Sequence, residues 1–137
     1  MSQVDGLFLR GKGMKLQTQV VKPAAADSLL NTVQPGVTQV EVTTVTNDAN
    51  DWIRLPSLAS VPNGHTITIL CNAGGNFEMR TPASSNEKIN NIDSDGTQEY
   101  LCTDTEVVEV TKMSNTAGWM AHGFSKLGAV VAAVVPD

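Results

Sequence analysis

The sequence predicts an all-β protein: a single antiparallel β-sandwich or jelly-roll-like domain, with an extended N-terminal arm and an apolar C-terminal tail strand. Three observations carry this. Short segments alternate apolar and polar side chains with a period of two. Pro35-Gly36, Pro62-Asn63-Gly64 and Asp95-Gly96 punctuate them as turns. No window of about 11 residues holds a helical apolar stripe. At 137 residues and 41% apolar, the chain is long enough for one domain with a real core. Only 17% is charged, and Asn, Thr, Ser and Gln fill the gap, which suits strands and turns better than helices.

The elements follow in order. Residues 1–22 read as a basic arm, with Arg10, Lys12, Lys15 and Lys22 against Asp5 and only Leu7-Phe8-Leu9 as an apolar cluster. They carry a net charge of +3, while residues 23–137 carry −8. That asymmetry can guide the arm to an acidic surface, including a neighbouring copy's body. "PAAADSLLN" from Pro23 offers one or two helical turns. Then the period becomes two. Val40 and Val42 share a face in "TQVEVTT", and Ile53 and Leu55 oppose Trp52 and Arg54 before Pro56 stops the run.

In "HTITILC", Ile67, Ile69 and Cys71 alternate against Thr66, Thr68 and Leu70. Asn72-Ala73-Gly74-Gly75 then links to Phe77 and Met79, and the pair reads as a β-hairpin. A polar stretch follows with Ile89 and Ile92 as anchors. "EYLC", "TEVVEVTKM" with Val108 and Val110 inward, and a strand around Trp119 complete the series.

The tail "LGAVVAAVV", Leu127 to Val135, is too short to span a bilayer as a helix. Being apolar on both faces, it invites strand addition unless buried against a neighbour or within its own sheet. Burying its four valines contributes about 1.5–2 kcal/mol each, against on the order of 10 kcal/mol for ordering nine backbone residues. The tail therefore acts as one contact among several, as trimers or larger symmetric arrays permit. Nothing at the start reads as a signal peptide, so synthesis in the cytoplasm is expected.

Chemistry is thinly represented. His65 and Cys71 stand six residues apart in one strand, roughly 20 Å, beyond hydrogen-bond reach. His122 with Cys102 is unconstrained. Cys71 and Cys102 are expected to be free and buried, with a bridge or a reactive thiol as alternatives. Asp93-Ser94-Asp95-Gly96 has the look of an oxygen-ligand loop, but Asp104 stands where a calcium loop needs its glutamate. A turn capped by its own side chains is the simpler account.

"GKG" at 11–13 lacks the rest of a phosphate loop, and "NAGGNF" lies between two strands instead of before a helix. No carboxylate pair is singled out for glycoside chemistry. Trp52, Trp119 and Tyr100 can form a sugar-stacking surface, or be core and interface anchors. The expectation is a protein that is not an enzyme and takes no metal or cofactor, with no nucleic-acid or membrane partner.

One long run carries a resemblance, "WIRLPSLASVPNGHTITILCNAGGNFEMRTPASSNEKINNIDSDGTQEYLCTDTEVVEVTKMSNTAGWMA". Leu55-Pro56, Gly64, the strand Ile67 to Leu70, Asn72-Ala73-Gly74 and Thr81-Pro82-Ala83-Ser84 come in that order. The polar segment Asn86 to Gly96, the valine strand Val107 to Val110 and Trp119 complete it. As an ordered series over residues 52–121, it resembles a module of tailed-bacteriophage structural proteins, among them the capsid decoration, or cement, proteins. The more acidic "IDSDGTQ" and the valine-rich tail depart from the commoner form.

The resemblance implies a virion protein on the capsid outer surface. It would bind the major capsid protein and its own copies, often as a homotrimer. Phage tail or fibre proteins, with a carbohydrate-binding role among them, are the alternative. The arm, the aromatics and the tail are the expected contact residues: Arg10, Lys12, Lys15, Lys22, Trp52, Trp119, Val130, Val131, Val134 and Val135.

Overall fold

Period-two alternation turns into nine short strands in the computed structural model, which describes residues 17–43, 51–72, 74–90, 99–125 and 127–131. They are β1 (Thr18–Val21), β2 (Gln39–Val42), β3 (Trp52–Arg54), β4 (Thr66–Cys71) and β5 (Phe77–Arg80). After them come β6 (Glu99–Cys102), β7 (Val107–Ser114), β8 (Gly118–Phe124) and β9 (Val130–Val131). One turn of 3-10 helix, Leu58–Ser60, is the only helical element among the described residues. A six-stranded sheet runs β1-β2-β4-β7-β8-β9, and a three-stranded sheet runs β3-β5-β6. No helix among the described residues is long and apolar enough to cross a membrane.

The all-β expectation holds, but the sheets are mixed, not purely antiparallel. β1 with β2, β2 with β4, and β3 with β5 are parallel. For β2 with β4 and β3 with β5 the reason lies in the chain path: from β2 to β5 each strand changes sheet, so the next return to a sheet runs in the same direction as the last. The inward residues of both sheets share one core, in a sandwich-like arrangement. Val40, Val42, Ile67, Ile69, Val108, Val110 and Trp119 come from the larger sheet, and Ile53, Phe77, Met79 and Tyr100 from the smaller.

The expected hairpin between β4 and β5 does not form. β4 pairs with β2 and β7, and β5 with β3 and β6, so the link at 72–76 carries the chain from one sheet to the other. Alternation cannot tell these cases apart, because both aim Ile67, Ile69, Cys71, Phe77 and Met79 at one interior. The link lies beside a second crossing, from β6 to β7, and the two are stitched together. Gly74 N donates to Asp104 Oδ1 at 3.0 Å, Asp104 N to Asn76 Oδ1 at 3.2 Å, and Thr105 N to Cys71 O at 2.8 Å.

The helical turns expected after Pro23 are also absent. Asn31 is buried, and its amide Nδ2 donates to Ala24 O, Ala26 O and Trp52 O, while Oδ1 accepts from Ser28 N. Side chains of this kind capture the backbone groups a helix would use. The stretch read as an arm, 1–22, overlaps the body: Thr18–Val21 is β1, and Val21 is buried. Turns fall where Pro and Gly put them. Val37 N donates to Gln34 O across Pro35-Gly36, and His65 N donates to Pro62 O across Asn63-Gly64.

Two backbone positions make opposite demands. Gly118 has φ +81°, and a Cβ there would stand 2.4 Å from Lys88 O, where Trp119 N donates to that same carbonyl. Thr105, in the stitched turn, has φ +67° despite its β-branched side chain. Gly118→Ala should therefore lose about 2 kcal/mol or more. Thr105→Gly should gain on the order of 1 kcal/mol by releasing left-handed strain. Urea unfolding of the two variants beside the parent checks both signs.

Candidate interaction surface

Titratable groups do not gather into a reaction centre among the described residues. No group of three or more His, Cys, Asp or Glu there is arranged to hold a metal ion. His65 Nε2 is engaged with Val37 O at 2.9 Å, and His122 is exposed on β8. Cys71 and Cys102 are free and fully buried. Burial, then the neighbouring Cys71 thiol, push the Cys102 thiol well up, away from the thiolate a nucleophile needs. The motif Asp93-Ser94-Asp95-Gly96 lies outside the described residues.

Beneath β8 the buried polar groups are structural. Glu106 Oε2 accepts from Thr103 N at 2.7 Å and tightens the turn between β6 and β7. The Tyr100 hydroxyl bonds to Glu106, and burial followed by that carboxylate raises its pKa. A Cβ on Gly123 would meet Glu106 Oε1 and the Tyr100 hydroxyl, so glycine leaves room for the pair. Buried Lys112 donates through Nζ to Leu58 O at 2.5 Å and Val61 O at 2.8 Å, closing the 3-10 turn.

The outer face of the three-stranded sheet is polar and largely self-satisfied. Asp27 accepts from Trp52 Nε1 and from Arg54 Nε, each at 2.8 Å, and Arg54 Nη1 donates to Thr81 O at 2.6 Å. Arg80 is paired with Glu78, and its Nε also lies 3.2 Å from Glu99 Oε2, without the alignment of a hydrogen bond. The Arg80 and Arg54 guanidinium carbons lie 4.4 and 5.5 Å from the Trp52 ring centroid. The Arg54 and Trp52 hydrogen bonds lower the Asp27 pKa. Desolvation, partly offset by Arg80, raises that of Glu78.

The outer face of the six-stranded sheet is different in kind. Register sets Val20, Glu41, Leu70, Val107, Phe124 and Val130 in one row across all six strands. Val20, Leu70 and Val130 are 63%, 43% and 77% exposed, and Val107 and Phe124 are half-buried. Met113 and Met120 add exposed apolar surface on β7 and β8. The neighbouring row is Thr18, Gln39, Thr68, Glu109 and His122. A shallow groove runs between Thr18, Val20, Gln39, Glu41, Thr68 and Leu70.

Of the sequence's contact candidates, Val130 stands in this row, and Val131 pairs with Gly123. Lys22 is exposed just after β1, and Trp52 is half-buried on the other sheet. Trp119 and Tyr100 are core, at 1% and 2% exposure, so the three aromatics do not form a sugar platform. Arg10, Lys12, Lys15, Val134 and Val135 lie outside the described residues. Val20, Leu70, Met113 and Met120 were missed. Leu70 alone carried a signal, as a leucine in register with Thr66 and Thr68 on the face opposite the core.

Compared with protein-family models, with curated proteins and with solved structures, the chain matches none.

The two carboxylates of the polar face make opposite pH contributions. Asp27, held below its ordinary 3.8, contributes stability that is present above that value and lost as pH falls through its folded pKa. Glu78, held above its ordinary 4.5, binds its proton more tightly when folded, so its contribution is full below 4.5 and lost as pH rises through the folded pKa. Glu78→Gln should remove the part of the stability decline that begins just above pH 4.5, read from urea midpoints across a pH series. An unaltered profile would contradict the assignment.

Proposed function

We propose that the chain is a virion structural protein of a tailed bacteriophage. It attaches to the outside of the capsid by binding the major capsid protein and its own copies, and so stabilises the shell. The observation that carries the contact role is the exposed apolar row Val20-Leu70-Val130 on a continuous six-stranded sheet. Isolated surface hydrophobes are ordinary, but a row spanning a whole face marks a place for another surface.

The virion context rests on the ordered motif series from Leu55-Pro56 to Trp119. That series falls on structural hinges of the fold. Asn72 and Gly74 lie in the crossing between sheets, Thr81 is buried after β5, and Pro82 to Ser85 form a turn. A scaffold of this kind suits attachment by shape. Its buried polar groups, Lys112, Glu106 and Asn31, are spent on closing turns and loops, which stiffens the surfaces that neighbours would meet.

Decorating symmetric sites on a shell needs several modest contacts per copy, because each ordering step offsets much of the apolar gain. The basic 1–22 stretch contributes orientation toward an acidic partner more than affinity. A carbohydrate-binding reading loses its platform with Trp119 and Tyr100 in the core.

Labelling the protein in intact particles and imaging them by electron microscopy should give density at symmetric positions on the head exterior. Density confined to the tail, or none, would overturn the assignment. Removing residues 1–16, which spares β1, should slow attachment to particles at low salt at least about tenfold. The far-ultraviolet circular dichroism of the isolated variant should stay that of a β protein.

A further inference from the structure

We propose that the outer face of the six-stranded sheet seats residues 7–15 of a second copy of this chain. The apolar Leu7-Phe8-Leu9 would lie against Val20 and Leu70 of the row, and Arg10, Lys12 and Lys15 beside Glu41 and Glu109. This rests on the contact role proposed above and names its partner and its place.

Charge selects the occupant. Glu41 and Glu109 project from the face, and neither has an ion pair among the described residues. Packing this face on its own copy would set carboxylates toward carboxylates, a juxtaposition that disfavours such pairing. The remaining body is no better a match, because residues 23–137 carry a net −8. The stretch that joins apolar side chains to the largest excess of positive charge is Leu7 to Lys15, with Leu7-Phe8-Leu9 followed by Arg10, Lys12 and Lys15.

Dimensions agree. Val20 and Leu70 stand two strands apart in the row, about 10 Å at about 4.8 Å per strand, which three extended residues span, and nine extended residues reach about 30 Å over the face. The groove at Val20, Glu41 and Leu70 lies at the start of that row and combines apolar walls with a carboxylate.

Chain direction selects a neighbour over self. Gln17 O accepts from both Thr38 N and Gln39 N, so the chain is still alongside β2 at that residue. Gln17 stands beyond the Thr18 row, on the side away from the Val20 row. A chain's own arm would have to double back to reach the Val20 row; a neighbour's arm need not.

The test uses the full-length protein with a photoreactive benzoylphenylalanine at Phe8, as an equal mixture of unlabelled and isotope-labelled copies. Irradiation followed by mass spectrometry should give links from residue 8 to peptides holding β2 and β4, with about half of them between differently labelled copies. Links confined to equally labelled pairs mean the chain's own arm, and links elsewhere or none mean another site; each overturns the proposal. Glu41→Lys with Glu109→Lys should cut the yield at least about tenfold while circular dichroism stays unchanged. An unchanged yield overturns the charge argument and the proposal with it. Because no capsid is present, a failure here leaves shell attachment to be judged by particle labelling. Linked copies that never decorate particles would overturn the proposed function alone.

Discussion

Two chain crossings must stay side by side for the rest of the structure to exist. The passage from β4 to β5 aims Ile67, Ile69 and Cys71 from one sheet and Phe77 and Met79 from the other at one interior. The return from β6 to β7 runs against it, tied by Gly74 to Asp104, Asp104 to Asn76 and Thr105 to Cys71. Gly74 and Thr105 lie at the exposed rim of the crossing, so each of these bonds contributes about 0.5–1.5 kcal/mol net, and together they hold the two passages in register. Thr105 holds a left-handed φ within this stitch. Its strain is tolerated because its amide reaches Cys71 O there.

The rest of the sheet order follows from that constraint. Once successive strands alternate between sheets, β2 and β4 become parallel neighbours, as do β3 and β5, and antiparallel pairing of consecutive strands returns only from β5 onward, in β5–β6, β7–β8 and β8–β9. Ser114 closes that hairpin with its own Oγ, which accepts from Thr116 N and Ala117 N. Lys112 then reaches inward from β7 to cap the 3-10 turn, whose Leu58 N is bound from another side by Glu87 Oε1 at 3.0 Å. A buried ammonium held by two carbonyls fixes a loop against a strand without apolar side chains.

Much of this was legible in the sequence, and the rest was hidden for identifiable reasons. Strand positions could be read because burial on one face imposes a two-residue period, and Val40, Val42, Ile67, Ile69, Val108 and Val110 obey it. Partners could not, because the same period serves a hairpin and a crossing between sheets. The helical turns at 23–31 failed through Asn31 and Ser28, short polar side chains whose competing bonds depend on Trp52 O arriving from far along the chain. The candidate surface was less visible still. Val20 and Val130 come from opposite ends of the chain and join one row only through the registers of the strands between them. The same blindness put Trp119 forward as a contact residue, since an aromatic at a strand centre looks alike on either face.

The contrast between the two outer faces bears on which side of the molecule meets a neighbour. On the smaller sheet, Asp27, Arg54, Trp52, Arg80 and Glu78 satisfy one another, and Glu78 already carries a desolvation penalty. Covering that face would strip water from the remaining exposed edges of its ion pairs, a cost that new contacts must first exceed. On the larger sheet, covering Val20, Leu70 and Val130 removes apolar area from water at about 25 cal/mol per Å². Glu41 and Glu109, exposed and unpaired among the described residues, give up hydration only where a cation replaces it. The physics therefore favours one-sided attachment: the apolar row turned to a partner and the ion-paired face left to solvent. Such polarity suits a subunit proposed to sit on a shell, since a second adhesive face would lead free copies to associate without limit.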